Sequence, residues 1–217
     1  MIGALLFDFD GVISDSIEIH FRGWQEVLPP LGIEPDNLVL RSHEGEPAWR
    51  IAQEMCAAAG RPIDEKEAHR LAGLKNSWFR GQPRPELYPG VSEILDYAGR
   101  VGIRTAVVTG TNRQNLHHVL GEMSTRFDAL FCDGDYARPK PHPDPYLAAV
   151  AHFGLPPEAC TVVENAPMGI RAARSAGLFC IALQTTLPAA HLQEADLILP
   201  DHTALLRWLE ESAPEIA

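Results

Sequence analysis

The sequence has 217 residues, room for a generous core with a smaller module attached, and 18 Lys+Arg against 29 Asp+Glu leave a formal charge of −11. Its 46% hydrophobic and 22% charged residues are ordinary globular usage. The acidic balance argues against nucleic acid or an anionic membrane as a partner, since both reward a positive field, and an anionic substrate would require a local reversal of sign.

Ile2–Phe7 reads as a buried strand. Its apolar run stops at Asp8 and has no basic flank, too short for a signal peptide or a roughly 20-residue membrane span, so a cytoplasmic protein is expected. Cys56, Cys132, Cys160 and Cys180 form no CxxC pair and no zinc spacing, and read as reduced, buried thiols. The strand runs into Asp8-Phe9-Asp10-Gly11. Two carboxylates one residue apart, at the carboxyl end of a parallel strand, lie where open α/β sheets bind ligands. Charges this close need a cation or a shared proton, and a hard divalent ion such as Mg²⁺ is the usual solution. On this motif alone, a turn in which Asp8 and Asp10 merely cap Gly11 remains open.

Ser16–Leu28, Ala48–Ala59 and Asp64–Arg80 read as helices separated by Pro- and Gly-containing loops. They predict an all-helical insertion, residues 16–84, over the end of the sheet, with the chain returning near Pro85–Gly90. Residues 1–15 and 85–217 would form the core. There Thr105–Val108, Ala129–Cys132, Thr161–Val163, Phe179–Leu183 and Asp196–Leu199 read as strands alternating with helices. The fold class expected is therefore α/β, a Rossmann-like, doubly wound parallel sheet. Thr111-Asn112-Arg113-Gln114 fits a capping box, Asp144-Pro145 a cap before Pro at the first helical position, and Pro167 and Gly177 bracket a further helix.

Each strand end brings polar groups to one edge. Thr109 and Gly110, before a helix N-terminus, suit an anion. Lys140 is held between Pro139 and Pro141, and Glu164-Asn165 add a carboxylate and an amide oxygen. Converging from four segments, these residues displace the turn-only reading.

Together these segments resemble the haloacid dehalogenase superfamily over nearly the whole chain. The helical insertion is similar to the cap of its β-phosphoglucomutase-like branch, as are Asp15-Ser16, His20, Trp24 and Lys75-Asn76. The resemblance implies Asp8 as a nucleophile that becomes an aspartyl-phosphate and Asp10 as general acid/base. It implies that Thr109 and Lys140 hold the phosphoryl oxygens, and that Mg²⁺ is bound by Asp8, the Asp10 carbonyl and Asn165, with Glu164 close by. Many relatives carry an acidic pair at the fourth motif, so Glu164-Asn165 leaves open which of the two is the main ligand.

The expected activity is a Mg²⁺-dependent phosphatase acting on a small phosphorylated metabolite, a sugar or polyol phosphate, in a form compatible with a monomer. A phosphomutase would grip a second phosphate with an arginine after the first cap-loop glycine. Here His43-Glu44-Gly45-Glu46-Pro47-Ala48 has none at that place, and Arg50 lies two residues on. Glu44 and Glu46 suit hydroxyls better. A non-catalytic phosphate-binding module is the third reading. His20 and Lys75 are candidates for coupling the cap to Asp10 or for reaching substrate, against plain helix-surface roles, and Trp49, Trp78 and Phe79 read as cap core.

Overall fold

The computed structural model describes residues 2–212, so Met1 and residues 213–217 of the expected core lie outside the described residues. Six strands form one parallel sheet in the order β3-β2-β1-β4-β5-β6: β1 (Ala4–Phe7), β2 (Arg104–Val108), β3 (Ala129–Phe131), β4 (Cys160–Glu164), β5 (Phe179–Leu183) and β6 (Leu197–Leu199). β1 is central, with Phe7 opposite Val107 of β2 and Val163 of β4. Buried on both faces, it is apolar throughout, as interior parallel strands are.

The side-chain period of two divides β1 between two cores. Leu5, Phe7 and Phe9 pack on one face with α5 (Val91–Val101) and α9 (His202–Ser212). Ala4 and Leu6 pack on the other with α7 (Asp144–Phe153) and α8 (Pro167–Ser175). Between β2 and β3 runs α6 (Arg113–Leu120).

Between β1 and α5 lie α1 (Ile17–Val27), α2 (Asn37–Ser42), α3 (Ala48–Ala58) and α4 (Glu65–Arg80), with no strand among them. Trp24, Leu28, Leu40, Ile51, Met55 and Leu71 give this insert a hydrophobic cluster of its own. The linkers that leave and rejoin the sheet run side by side: the Asp15 amide donates to the Glu86 carbonyl at 2.9 Å and the Tyr88 amide to the Ile13 carbonyl at 3.0 Å. No described helix is long and apolar enough to cross a membrane.

Several local expectations shift. The cap of α6 is Asn112, whose side chain accepts from the Asn115 amide, and not Thr111, which is drawn to a carboxylate instead. Asp144 is the first residue of α7, not its cap, and its carboxylate is held by Arg138. Phe79 packs with the sheet-side core and not within the insert's cluster, while Trp78 lies at the edge of the same sheet-side core. The short α2 was not anticipated; Asp36 starts it by accepting from the Leu38 amide.

Candidate active site

Asp8 and Asp10 follow the last residue of β1. The Asp8 amide still donates to the Val163 carbonyl at 2.9 Å, which continues the ladder and fixes the carboxylate over the centre of the sheet edge. Gly11 follows with φ +86°, and a Cβ there would lie 2.1 Å from the Asn165 amide nitrogen, so the turn tolerates only glycine.

The Lys140 ammonium, fully buried, donates to Asp8 Oδ1 and Glu164 Oε1, both at 2.7 Å. Tyr146 donates to the same Glu164 oxygen at 2.6 Å, and the Asn165 amide to Glu164 Oε2 at 3.0 Å. Glu164 thereby accepts three hydrogen bonds. Gly169 in the first turn of α8 makes room for it, since a Cβ there would lie 1.6 Å from Glu164 Oε1. Two carboxyls share one ammonium. Burial raises the Asp8 carboxyl above its ordinary range, with Lys140 opposing and Glu164 adding to the rise. Lys140 itself is held charged: burial works against it, but Asp8 and Glu164 prevail.

Asp10 is held differently. Its Oδ1 accepts from Ser16 Oγ at 2.5 Å and lies 2.9 Å from His20 Nε2, and its Oδ2 accepts from Thr111 Oγ1 at 2.5 Å. Burial opposes ionisation, but His20, Ser16 and Thr111 together hold the carboxyl well below the usual range. The Lys75 ammonium lies 2.6 Å from His20 Nδ1, which assigns the ring hydrogen to Nε2, facing Asp10. His20 and Lys75 are therefore buried, not helix-surface residues, and the His20 ring stacks on Phe79 with centroids 4.3 Å apart.

Burial lowers Lys75 to about 8. A lysine depressed in the folded state binds fewer protons there than in the unfolded chain between about 8 and its ordinary 10.5, so stability rises with pH through that window. Denaturation at pH 7.5 and pH 10 is accordingly expected to show wild type gaining on Lys75→Met by about 2 kcal/mol; a pH-independent difference would refute a buried, depressed lysine.

Thr109 is buried at the end of β2, its hydroxyl accepting from the Thr111 amide at 3.0 Å. Gly110 follows, and a Cβ on it would lie 2.5 Å from the Gly45 carbonyl of the insert. Gly45, with φ +87°, would place a Cβ 3.1 Å from Lys140 Cδ. The loop carrying Glu44, Gly45 and Glu46 therefore sits directly on the strand-end residues. Glu46 pairs with His43 at 3.0 Å, and Glu44 reaches further, accepting from Asn165 Nδ2 at 2.5 Å and Thr186 Oγ1 at 2.9 Å. Burial raises the Glu44 carboxyl well above its ordinary range against those donors.

A cavity of about 190 Å³ opens beside this loop, lined among others by Asp10, His20, Glu44, Glu46, Trp49, His69, Lys75, Asn76, Thr109 and Asp133. Trp49 packs against the insert's hydrophobic cluster, as expected, and also stacks on His69 at the cavity wall. Thr111, Asp133, Tyr146 and Thr186 were missed as site residues. Thr185-Thr186 carried a usable signal, a hydroxyl pair at the carboxyl end of β5 on the same sheet edge.

Among the described residues, the core-side buried oxygens that lack a hydrogen-bond partner are Ser14 Oγ and, at the strand ends, Asp8 Oδ2 and Asn165 Oδ1; the last two belong to a carboxylate and an amide. They are hard donors and suit a divalent cation such as Mg²⁺. Among the described residues no three His, Cys, Asp or Glu side chains converge on a metal-sized point; a ligand set that draws on an amide oxygen and a main-chain carbonyl does not need three.

Residues 2–177 match the haloacid dehalogenase-like hydrolase family. The chain belongs to that family. Within it, validoxylamine A 7'-phosphate phosphatase from Streptomyces hygroscopicus subsp. limoneus is 32% identical over 213 residues, 96% of this chain and 97% of the relative. The fructose-1-phosphate phosphatase YqaB of Escherichia coli K12 is 33% identical over 179 residues, 81% of this chain and 93% of the relative. The crystal structure of β-phosphoglucomutase from Clostridium difficile superposes with a TM-score of 0.85 at 24% identity, covering 97% of this chain and 96% of the other, and shows that the fold is shared.

Proposed function

We propose that this haloacid dehalogenase-like hydrolase is a Mg²⁺-dependent phosphatase for small sugar or polyol monophosphates, working through phosphorylated Asp8. The observation that carries the reading is the pair of unlike aspartates that follow β1: Asp8 bonded to Lys140, with one oxygen bare, and Asp10 held ionised by three neighbours. Asp8 attacks phosphorus as the P–O bond to the ester oxygen breaks, and the departing oxygen takes its proton from Asp10 in its acid form. Lys140, Thr109 and the Gly110 amide hold the phosphoryl oxygens, and Asp10 as a carboxylate takes the proton from the water that releases phosphate. Mg²⁺, held by Asp8, Asn165 and the Asp10 carbonyl, would supply charge neutralisation for an anionic nucleophile meeting an anionic substrate. The three hydrogen bonds that Glu164 already accepts favour Asn165 as the fourth-motif ligand, with Glu164 positioning Lys140.

Residues 16–84 serve as the cap and residues 1–15 with 85–217 as the catalytic core. Around the cavity the insert presents Glu44, Glu46, His69 and Asn76, and Lys75 is already turned to His20. That lining favours neutral, hydroxyl-rich leaving groups over a second phosphate, which speaks against a mutase acting through a bisphosphate. The names of the two phosphatase relatives support the same class.

The test is a panel of phosphate esters with released phosphate as the readout. Hexose and hexitol monophosphates are expected to be turned over with kcat/KM at least about tenfold above their bisphosphates, a difference of about 1.4 kcal/mol in transition-state binding. EDTA is expected to abolish turnover and added Mg²⁺ to restore it. Activity that survives chelation, or isomerisation of β-glucose 1-phosphate without phosphate release, would overturn the reading.

A further inference from the structure

We propose that Glu44 makes the helical insert part of the cation site, so that binding of a divalent cation and seating of the insert on the sheet are one linked equilibrium. The inference rests on the magnesium reading above and goes beyond it, because it places a ligand-bearing residue outside the four strand-end segments.

Among the described residues the buried carboxylate and amide oxygens without a partner are Asp8 Oδ2, Asn165 Oδ1 and Glu44 Oε1. The first two belong to the sheet and the third to the insert. Glu44 is only 2% exposed, and its arm is fixed, since Oε2 accepts from both Asn165 Nδ2 and Thr186 Oγ1. Arg41, from the same part of the insert, donates to the Thr186 carbonyl at 3.0 Å and anchors the approach. The loop is seated closely on the sheet edge, since a Cβ added to Gly45 would lie 3.1 Å from Lys140 Cδ and one added to Gly110 2.5 Å from the Gly45 carbonyl oxygen.

A buried carboxylate with one bonded and one bare oxygen is costly, and a hard cation, or water held on one, relieves that cost. Asn165 joins the two sides: its side-chain nitrogen donates to Glu44, and its unpartnered oxygen is left for the proposed ion. Residues that orient a metal's own ligands are commonly worth 10- to 100-fold in affinity. By linkage, whatever factor seating of the insert adds to cation affinity, the cation adds to seating.

Calorimetric titration of the substrate-free chain with Mg²⁺ tests this, paired with small-angle scattering at the same Mg²⁺ concentrations. Glu44→Gln is expected to weaken Mg²⁺ binding about tenfold or more. Wild type is expected to contract as Mg²⁺ is added and the variant to contract less at equal concentration. Glu46→Gln, from the same loop but paired with His43, should retain wild-type affinity. Unchanged affinity in Glu44→Gln, or wild-type dimensions indifferent to Mg²⁺, would overturn the proposal and leave Glu44 a substrate or packing residue. A wild-type chain that binds no Mg²⁺ at all would instead overturn the magnesium reading on which it rests.

Discussion

Asp8→Asn is expected to lower kcat for phosphate release by about 10⁴-fold or more while the variant unfolds within a few degrees of wild type. The rate loss follows from removing a nucleophile, for which nearby groups substitute poorly. The preserved stability follows from the surroundings. An asparagine oxygen can still accept from Lys140, and the substitution removes one of two carboxyls crowded on a single ammonium. A variant that hydrolysed phosphate esters at a tenth of the wild-type rate would move the nucleophile elsewhere, and one that failed to fold would show Asp8 to be structural. Rapid-quench capture of an acid-stable, base-labile phosphate on wild type and not on the variant would identify the residue that carries it.

Lys140→Met should produce the opposite pattern, damage to both stability and rate. Removal of the ammonium leaves Asp8 and Glu164 buried and facing one another without a cation, and breaking a buried ion pair from one side typically costs about 3–5 kcal/mol. Denaturant titration at pH 7.5 in EDTA measures that loss. Turnover should fall by about 10²–10³-fold, the usual effect of deleting one donor to developing negative charge. The double variant Lys140→Met/Asp8→Asn should recover part of the lost stability, because the surplus charge goes with the carboxylate; strictly additive losses would mean that the two side chains are not energetically coupled.

The sheet and its active edge were legible because they depend on local pattern. Apolar runs ending in Asp8, Thr109 and Glu164, each followed by a helix start, place those residues on one edge whatever the packing. What Lys140 touches was not legible: its partners lie 132 and 24 residues away in sequence, and only the tertiary fold brings them within 2.7 Å. Thr111 misled for a related reason. The capping pattern was present, but Asp10 lies close enough to take the hydroxyl, and Asn112 caps the helix in its place. His20 and Lys75 looked like surface positions because the faces of α1 and α4 that bear them pack toward the sheet through Phe79. Glu44 read as a residue for hydroxyls; the hydroxyl it meets belongs to Thr186 of the chain itself.

The paired linkers at Ile13–Asp15 and Glu86–Tyr88 carry a wider implication. Because the outgoing and returning linkers are bonded to each other, the insert leaves and rejoins the sheet at one place. Because departure and return are adjacent, a helical segment of another length or shape can be spliced in without stretching β1 or altering the spacing of Asp8, Lys140 and Asn165. The insert and the sheet are thus pieces of one polypeptide joined where two main-chain hydrogen bonds hold the linkers together, a layout in which the insert can change while β1 keeps its place.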